Sequence, residues 1–205
     1  MQDTLAIDAQ NLARRYGRRW ALADVSLRIP QGRVVMVAGR NGSGKSTLFR
    51  ILSTAIRPDR GSASILGFDL VKQRYDVRKD VALLSHYSYL YESLTAAENL
   101  RIITPRIDDV LKRVGLEKRA NDAVHTFSAG MRKRLSFARV LLQRPRIALL
   151  DEPYAQLDPE GFGLIDQVVQ ELKESGVTVL LATHQVERTG RFADDSITLE
   201  QGRIA

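Results

Sequence analysis

Two short stretches carry residue types at spacings that suit phosphate chemistry. The first, "GRNGSGKST", runs Gly39, Arg40, Asn41, Gly42, Ser43, Gly44, Lys45, Ser46, Thr47. Two glycines five apart, followed by Lys and Ser, let a backbone curl until successive N–H groups converge on one anion. The stretch lies between the apolar run "GRVVMVAG" and a segment of helical spacing, so a helix N-terminus adds positive potential there. In that setting Lys45 would reach the β- and γ-phosphate oxygens of a nucleotide, and the Ser46 hydroxyl would ligate Mg²⁺. A glycine-rich turn that matches by chance would not sit between a buried strand and a helix.

The second stretch is "IALLDEP", an apolar strand ending in Asp151 and Glu152. Consecutive strand side chains point to opposite faces, so two carboxylates can divide two tasks. Asp151 would hold Mg²⁺, and Glu152 would polarise an attacking water. Taken alone the pair also reads as capping or surface acids; a phosphate loop upstream argues against that. Between the two lies "TFSAGMRKRLSFARVLL", where Ser128 is a good N-cap and Ala129–Gly130 opens the first turn to a phosphate. By itself this segment is an ordinary capped helix.

The surrounding pattern supplies elements to position these residues. "TLAIDAQNLARRY" and "ALADVSLRIP" read as extended runs, "GRVVMVAG" as a buried strand and "GKSTLFRILSTAI" as a helix. "SASIL" and "VALLS" read as strands, and residues 87–130 turn helical and charged. From there helices and strands alternate to "DSITLE", as in a parallel sheet with helical crossovers. The expected fold is α/β: a parallel-sheet core, an antiparallel β part at the N-terminus and an inserted helical subdomain. The 205 residues form one domain, with residues 1–86 and 131–205 as core and 87–130 as the helical part.

Composition excludes several classes. Cysteine is absent, so disulfides and cysteine-ligated metals are out. No apolar run approaches the roughly 18 residues of a membrane span, and "MQDTLAIDAQ" lacks the marks of a secretion signal, so a cytosolic location is expected. The net charge of +7 is uneven: residues 101–146 carry 12 basic and 4 acidic side chains, residues 147–205 carry 4 and 11. Basic regions suit nucleic acid, anionic lipid, nucleotide phosphate or plain solvent; no nucleic-acid motif accompanies them, and no nucleic-acid partner is expected.

The phosphate loop, the "SAG" helix and the "LLDEP" strand, in this order and spacing, resemble the ATP-binding subunits of ATP-binding cassette (ABC) proteins over essentially the whole chain. The resemblance implies a P-loop NTPase that binds ATP and Mg²⁺ and hydrolyses ATP. It matches Tyr16 to the aromatic that stacks on adenine, His184 to the switch histidine at the γ-phosphate and Asp158 to the acid of the loop crossing the dimer interface. It implies an ATP-dependent homodimer in which Ser128, Ala129, Gly130 and Met131 meet the partner chain's ATP. Ala129 and Met131 depart from the family's usual Gly and Gln.

His86, in "SHYSYLY", falls where most of the family has a glutamine near Mg²⁺ and the attacking water, which makes it a third catalytic candidate beside Glu152 and His184. Tyr87, Tyr89 and Tyr91 fall where transporter members receive a helix of their membrane subunit; the alternative is that they pack inside the helical part. His86 and the "SAG" signature resemble the heme-exporter ATP-binding subunit of bacterial cytochrome c maturation, while "SILGFDL" and "DVRKDVALLS" look equally like exporters of the drug and polysaccharide type. The expected role is an exporter ATPase, peripheral on the inner face of the cell membrane and driving a separate integral membrane subunit. A soluble ABC ATPase of DNA repair or translation fits less well, since no long insertion or second cassette is present.

Overall fold

In β1 (Leu5–Tyr16) and β2 (Arg19–Pro30), apolar residues recur so that one face is buried, as with Val25, Leu27 and Ile29 set against exposed Ser26 and Arg28. The two strands pair antiparallel, and β4 (Arg60–Ile65) and β5 (Phe68–Asp69) extend the sheet in the order β2-β1-β4-β5. The computed structural model describes residues 4–205; residues 1–3, the start of the stretch read for a secretion signal, lie outside the described residues.

A second sheet carries the chemistry. β3 (Val34–Ala38), β7 (Ile147–Asp151) and β8 (Thr178–Ala182) are almost wholly buried, as continuous apolar runs require when both faces are covered. With β6 (Val81–Leu84), β9 (Asp195–Glu200) and β10 (Arg203–Ile204) they form the order β10-β9-β3-β8-β7-β6. All pairs are parallel except β9–β10. The expected parallel core with an antiparallel part before it is the fold observed.

Three apolar clusters hold these layers. One lies between the sheets around α1 (Lys45–Leu52), where Leu48, Phe49, Ile51 and Leu52 are fully buried. Burial of such side chains contributes about 1.5–3 kcal/mol each, which anchors the helix directly behind the phosphate loop. The opposite sheet face is covered by α5 (Ala129–Leu142) and α6 (Pro159–Glu174). The third cluster joins α3 (Ala96–Arg101), α4 (Asp108–Arg113) and α5. The expected division at residues 130 and 131 therefore runs through α5: Leu135 and Ala138 pack with α3 and α4, while Phe137 and Val140 pack on the sheet.

Two details depart from the sequence pattern. The helix expected through Ile56 stops at Leu52, because Thr54 takes φ 60 and is gripped by Arg78, whose Nε donates to Thr54 Oγ1 at 2.7 Å. That arginine belongs to α2 (Arg74–Asp80), an unexpected short helix that buries Val77 alone. The last helix, α7 (Val186–Thr189), follows β8 as anticipated. Among the described residues no helix is long and apolar enough to cross a membrane.

Candidate active site

The loop between β3 and α1 needs glycine at two positions for steric reasons. Gly39 has φ 141, and a Cβ there would stand 2.3 Å from the Leu199 carbonyl oxygen. Gly44 has φ 113, and its Cβ would stand 2.5 Å from the Ala21 carbonyl oxygen. The loop can thus wrap tightly and present its N–H groups outward. Lys45 is buried beneath it and donates to the carbonyls of Gly39 at 2.6 Å and Arg40 at 3.3 Å. These oxygens hold the ammonium close to the centre of the loop.

The loop forms one wall of a cleft of about 410 Å³. Asn41 to Thr47 line it, together with Tyr16, His86, Asp151 and Glu152, so most of the residues singled out in the sequence converge here. Tyr16 is half exposed, with the Arg14 guanidinium 5.5 Å from its ring centroid. Arg19 also lines the cleft, close to Gly42. No sequence motif singles out Arg19; its signal is its place close after Tyr16 in "RRYGRRWAL".

The acidic side is built by strand register. Asp151 ends β7 opposite Ala182 and is 3% exposed. Glu152 then leaves the strand with φ 48, a left-handed backbone that costs a non-glycine residue roughly 1–3 kcal/mol. Its N–H donates to the Ala182 carbonyl at 2.8 Å, which holds the turn against β8. His184, two residues beyond β8, brings Nε2 to 3.2 Å from Glu152 Oε1 and 2.7 Å from Asn41 Oδ1. The histidine therefore bridges the carboxylate and the phosphate loop.

The Ser46 hydroxyl and the Asp151 carboxylate are hard oxygen donors on the same cleft, the donor chemistry that Mg²⁺ takes alongside phosphate oxygens and water. Ser43 Oγ is buried beside them with no protein partner, a polar atom suited to a phosphate oxygen. Among the described residues no group of three or more His, Cys, Asp or Glu could hold a metal ion by itself.

The signature residues lie outside this cleft. Ser128 caps α5, its Oγ accepting from the Met131 N–H at 3.2 Å, as anticipated. Gly130 lies against the loop before α6: a Cβ there would meet the Gln156 carbonyl at 2.9 Å. Ala129 lines a smaller neighbouring cavity of about 130 Å³ that also touches His86. Asp158 caps α6, accepting from the Gly161 N–H at 2.8 Å.

Lys133, also on α5, is a buried cation the sequence reading passed over. Burial pushes its ammonium down to about 8, and the Asp151 and Glu152 carboxylates oppose that shift. Its spacing from the buried Phe137 and Val140 placed it on the apolar face of the helix.

The tyrosines do not pack inside the helical part. Tyr87, Tyr89 and Tyr91 are 62%, 65% and 58% exposed, which overturns the alternative that they form core. Their backbone is nonetheless pinned. Arg139 donates to the Tyr89 carbonyl at 2.6 Å, and the Tyr91 N–H donates to Asn99 Oδ1 at 2.8 Å. His86 is exposed at the cleft edge, with the Tyr87 ring edge-on at 5.6 Å.

Residues 22–155 match the model of the family described as ABC transporter. The chain is 37% identical to a daunorubicin resistance ATP-binding protein of Streptomyces coeruleorubidus, over all of this chain and 68% of that one. It is 35% identical to the ABC transporter ATP-binding protein NatA of Bacillus subtilis, over 90% of this chain and 80% of that one. Among solved structures it superposes on the ATP-binding subunit of an ABC transporter with TM-score 0.89 and 28% identity, covering 97% of this chain and 88% of that one. A dimeric ATP-binding cassette in a post-hydrolysis state with ADP and Pi matches with TM-score 0.87 and 28% identity, covering 97% and 96%.

Proposed function

The chain belongs to the ABC transporter family and is an ABC-type ATPase, and we propose that it powers an exporter by driving a separate membrane subunit. The observation that carries the reading is that Lys45 and Glu152 line one cleft, with His184 beside it in contact with both Glu152 and Asn41 of the phosphate loop. The loop N–H groups and Lys45 bind and orient the β- and γ-phosphates. Tyr16 stacks on the adenine. Ser46 and Asp151 hold Mg²⁺, which when bound neutralises phosphate charge. Glu152 takes the proton of the attacking water, and His184 steadies Glu152 and donates toward the γ-phosphate. His86 stands at the open edge of the same cleft, within reach of that water.

Ser128 to Met131 lie away from the cleft of their own chain, and this supports a dimer in which each signature helix completes the partner's ATP site. Ser128, Gly130 and the helix N-terminus are kept, and Ser128 is exposed, which supports that contact despite the departures at Ala129 and Met131. The exposed Tyr87–Tyr91 face supports docking of a membrane subunit, placing the protein peripherally on the inner face of the membrane. The drug-resistance names among the relatives favour a drug-type exporter. Heme export for cytochrome c maturation has in its support His86 and the "SAG" signature, and is the second reading.

Glu152→Gln tests the core of the proposal. It removes the base and keeps the cleft, so hydrolysis should fall by about 10²–10⁴-fold while MgATP drives the chain into a dimer on size exclusion. Turnover at the wild-type rate would remove Glu152 from its role, and a variant that stays monomeric with MgATP would remove the dimer.

A further inference from the structure

Three consecutive cations, Arg132, Lys133 and Arg134, follow the first turn of α5, and the middle one is 6% exposed. A buried ammonium is costly unless it is paired. The partner here is a main-chain atom: Lys133 Nζ donates to the Asp151 carbonyl at 3.4 Å. That carbonyl belongs to the peptide joining Asp151 to Glu152. The N–H of the same peptide donates to Ala182. The peptide is therefore held from both sides, by β8 through its N–H and by α5 through its C=O. Immediately after it Glu152 adopts φ 48, a conformation that persists only where the surroundings enforce it.

We propose that Lys133 is a positioning residue for Glu152, and that it ties the orientation of this carboxylate to the placement of the helix capped by Ser128. Lys133 stands five residues beyond that cap, in the second turn. A shift or rotation of α5 moves the ammonium relative to the Asp151 carbonyl, and the strained turn at Glu152 follows. The Asp151 and Glu152 carboxylates favour its charged form. The neighbouring polar cavity, lined by Ser85, His86, Ser136 and Gln156, gives the side chain room to adjust without meeting packed apolar atoms. When the Ser128 end of α5 engages a partner chain's nucleotide, Lys133 carries that engagement to the Glu152 of its own chain. The inference rests on the reading of Glu152 as the catalytic base.

The test compares Lys133→Met, Glu152→Gln and the double variant in steady-state ATPase assays, with nucleotide affinity and melting temperature measured on each. A lysine with only a structural role predicts a lowered melting temperature on replacement, because the buried Asp151 carbonyl loses its donor, with kcat near wild type. Positioning instead predicts a 10- to 100-fold loss of kcat in Lys133→Met, with nucleotide affinity within about threefold. The double variant should be no slower than Glu152→Gln, because Lys133 acts through that carboxylate. Lys133→Gln is measured beside it, so a folding defect specific to Met leaves the comparison standing. Wild-type turnover in Glu152→Gln overturns the reading of the base itself. With Glu152→Gln inactive, near-normal kcat in Lys133→Met and Lys133→Gln, or losses that multiply in the double variant, overturn the positioning role.

Discussion

His184 Nε2 stands 3.2 Å from Glu152 Oε1 and 2.7 Å from Asn41 Oδ1. An amide oxygen only accepts, so Nε2 carries the proton and donates to Asn41 Oδ1, with Glu152 Oε1 in close polar contact beside it. The residue thereby joins three segments far apart in the chain: the phosphate loop, the end of β7 and the end of β8.

His184→Ala removes that donor and its bond to Asn41, while Lys45 and the glycines that shape the phosphate loop stay in place. The expected result is a fall in kcat of roughly 100-fold, the size associated with losing one preorganised donor at a reacting centre. Nucleotide affinity, read by displacement of a fluorescent ATP analogue, should change by less than about threefold. Unaltered turnover would leave the His184–Glu152 contact without a catalytic role.

The parts of the site legible in the sequence are those in which adjacent residues act together. "GRNGSGKST" specifies a loop whose glycines are needed at Gly39 and Gly44, and "LLDEP" places two carboxylates at a strand end. Arg19 and Lys133 stayed hidden because their roles depend on contacts between elements. The spacing of Lys133 from Phe137 and Val140 puts it on the apolar face of α5, but its contact with the Asp151 carbonyl follows only once α5 is laid against the sheet. The same holds for β5, β10 and α2, which are too short or too polar to show a period. The longer elements are visible through their periodicity, and the short α7 through its place between two strands.

The exposed tyrosines carry a different expectation. Tyr87, Tyr89 and Tyr91 present their rings while Arg139 and Asn99 hold the backbone beneath them, so replacing the rings leaves the support in place. The triple replacement with Ser should keep melting temperature and isolated ATP affinity near wild type. Association with the membrane subunit should weaken by about 2 kcal/mol or more, roughly 30-fold, as for truncated aromatic anchors. A pull-down against the co-expressed membrane subunit, quantified by titration, reads this. Unchanged association would assign the aromatic face to something other than docking.

A last expectation concerns acid stability and a contact outside the cleft. Asp194 accepts from Lys173 Nζ at 2.6 Å and from the Val34 N–H at 2.9 Å, fastening the end of α6 to the first residue of β3. Burial alone would raise the Asp194 carboxyl, but the hydrogen bonds from Lys173 and Val34 and the charges of Lys173 and Arg33 outweigh it and hold the carboxyl below its ordinary value. A lowered folded-state value means that the unfolded chain binds the proton more readily. The contribution is therefore fully present above the unfolded carboxylate range, near pH 4, and is lost as pH falls through the lower folded value. Asp194→Asn should cost about 1.5–3 kcal/mol at neutral pH, typical of a hydrogen bond to a charged group. The deficit should shrink as the pH is lowered, because the wild type loses the same contribution there. Urea midpoints measured from pH 7 to pH 3 on both proteins decide it. The lowered carboxyls of Asp59, Asp69 and Glu98 remain in both and cancel in the difference. A deficit that stays constant across the range would show that the Asp194 contact does not depend on its charge.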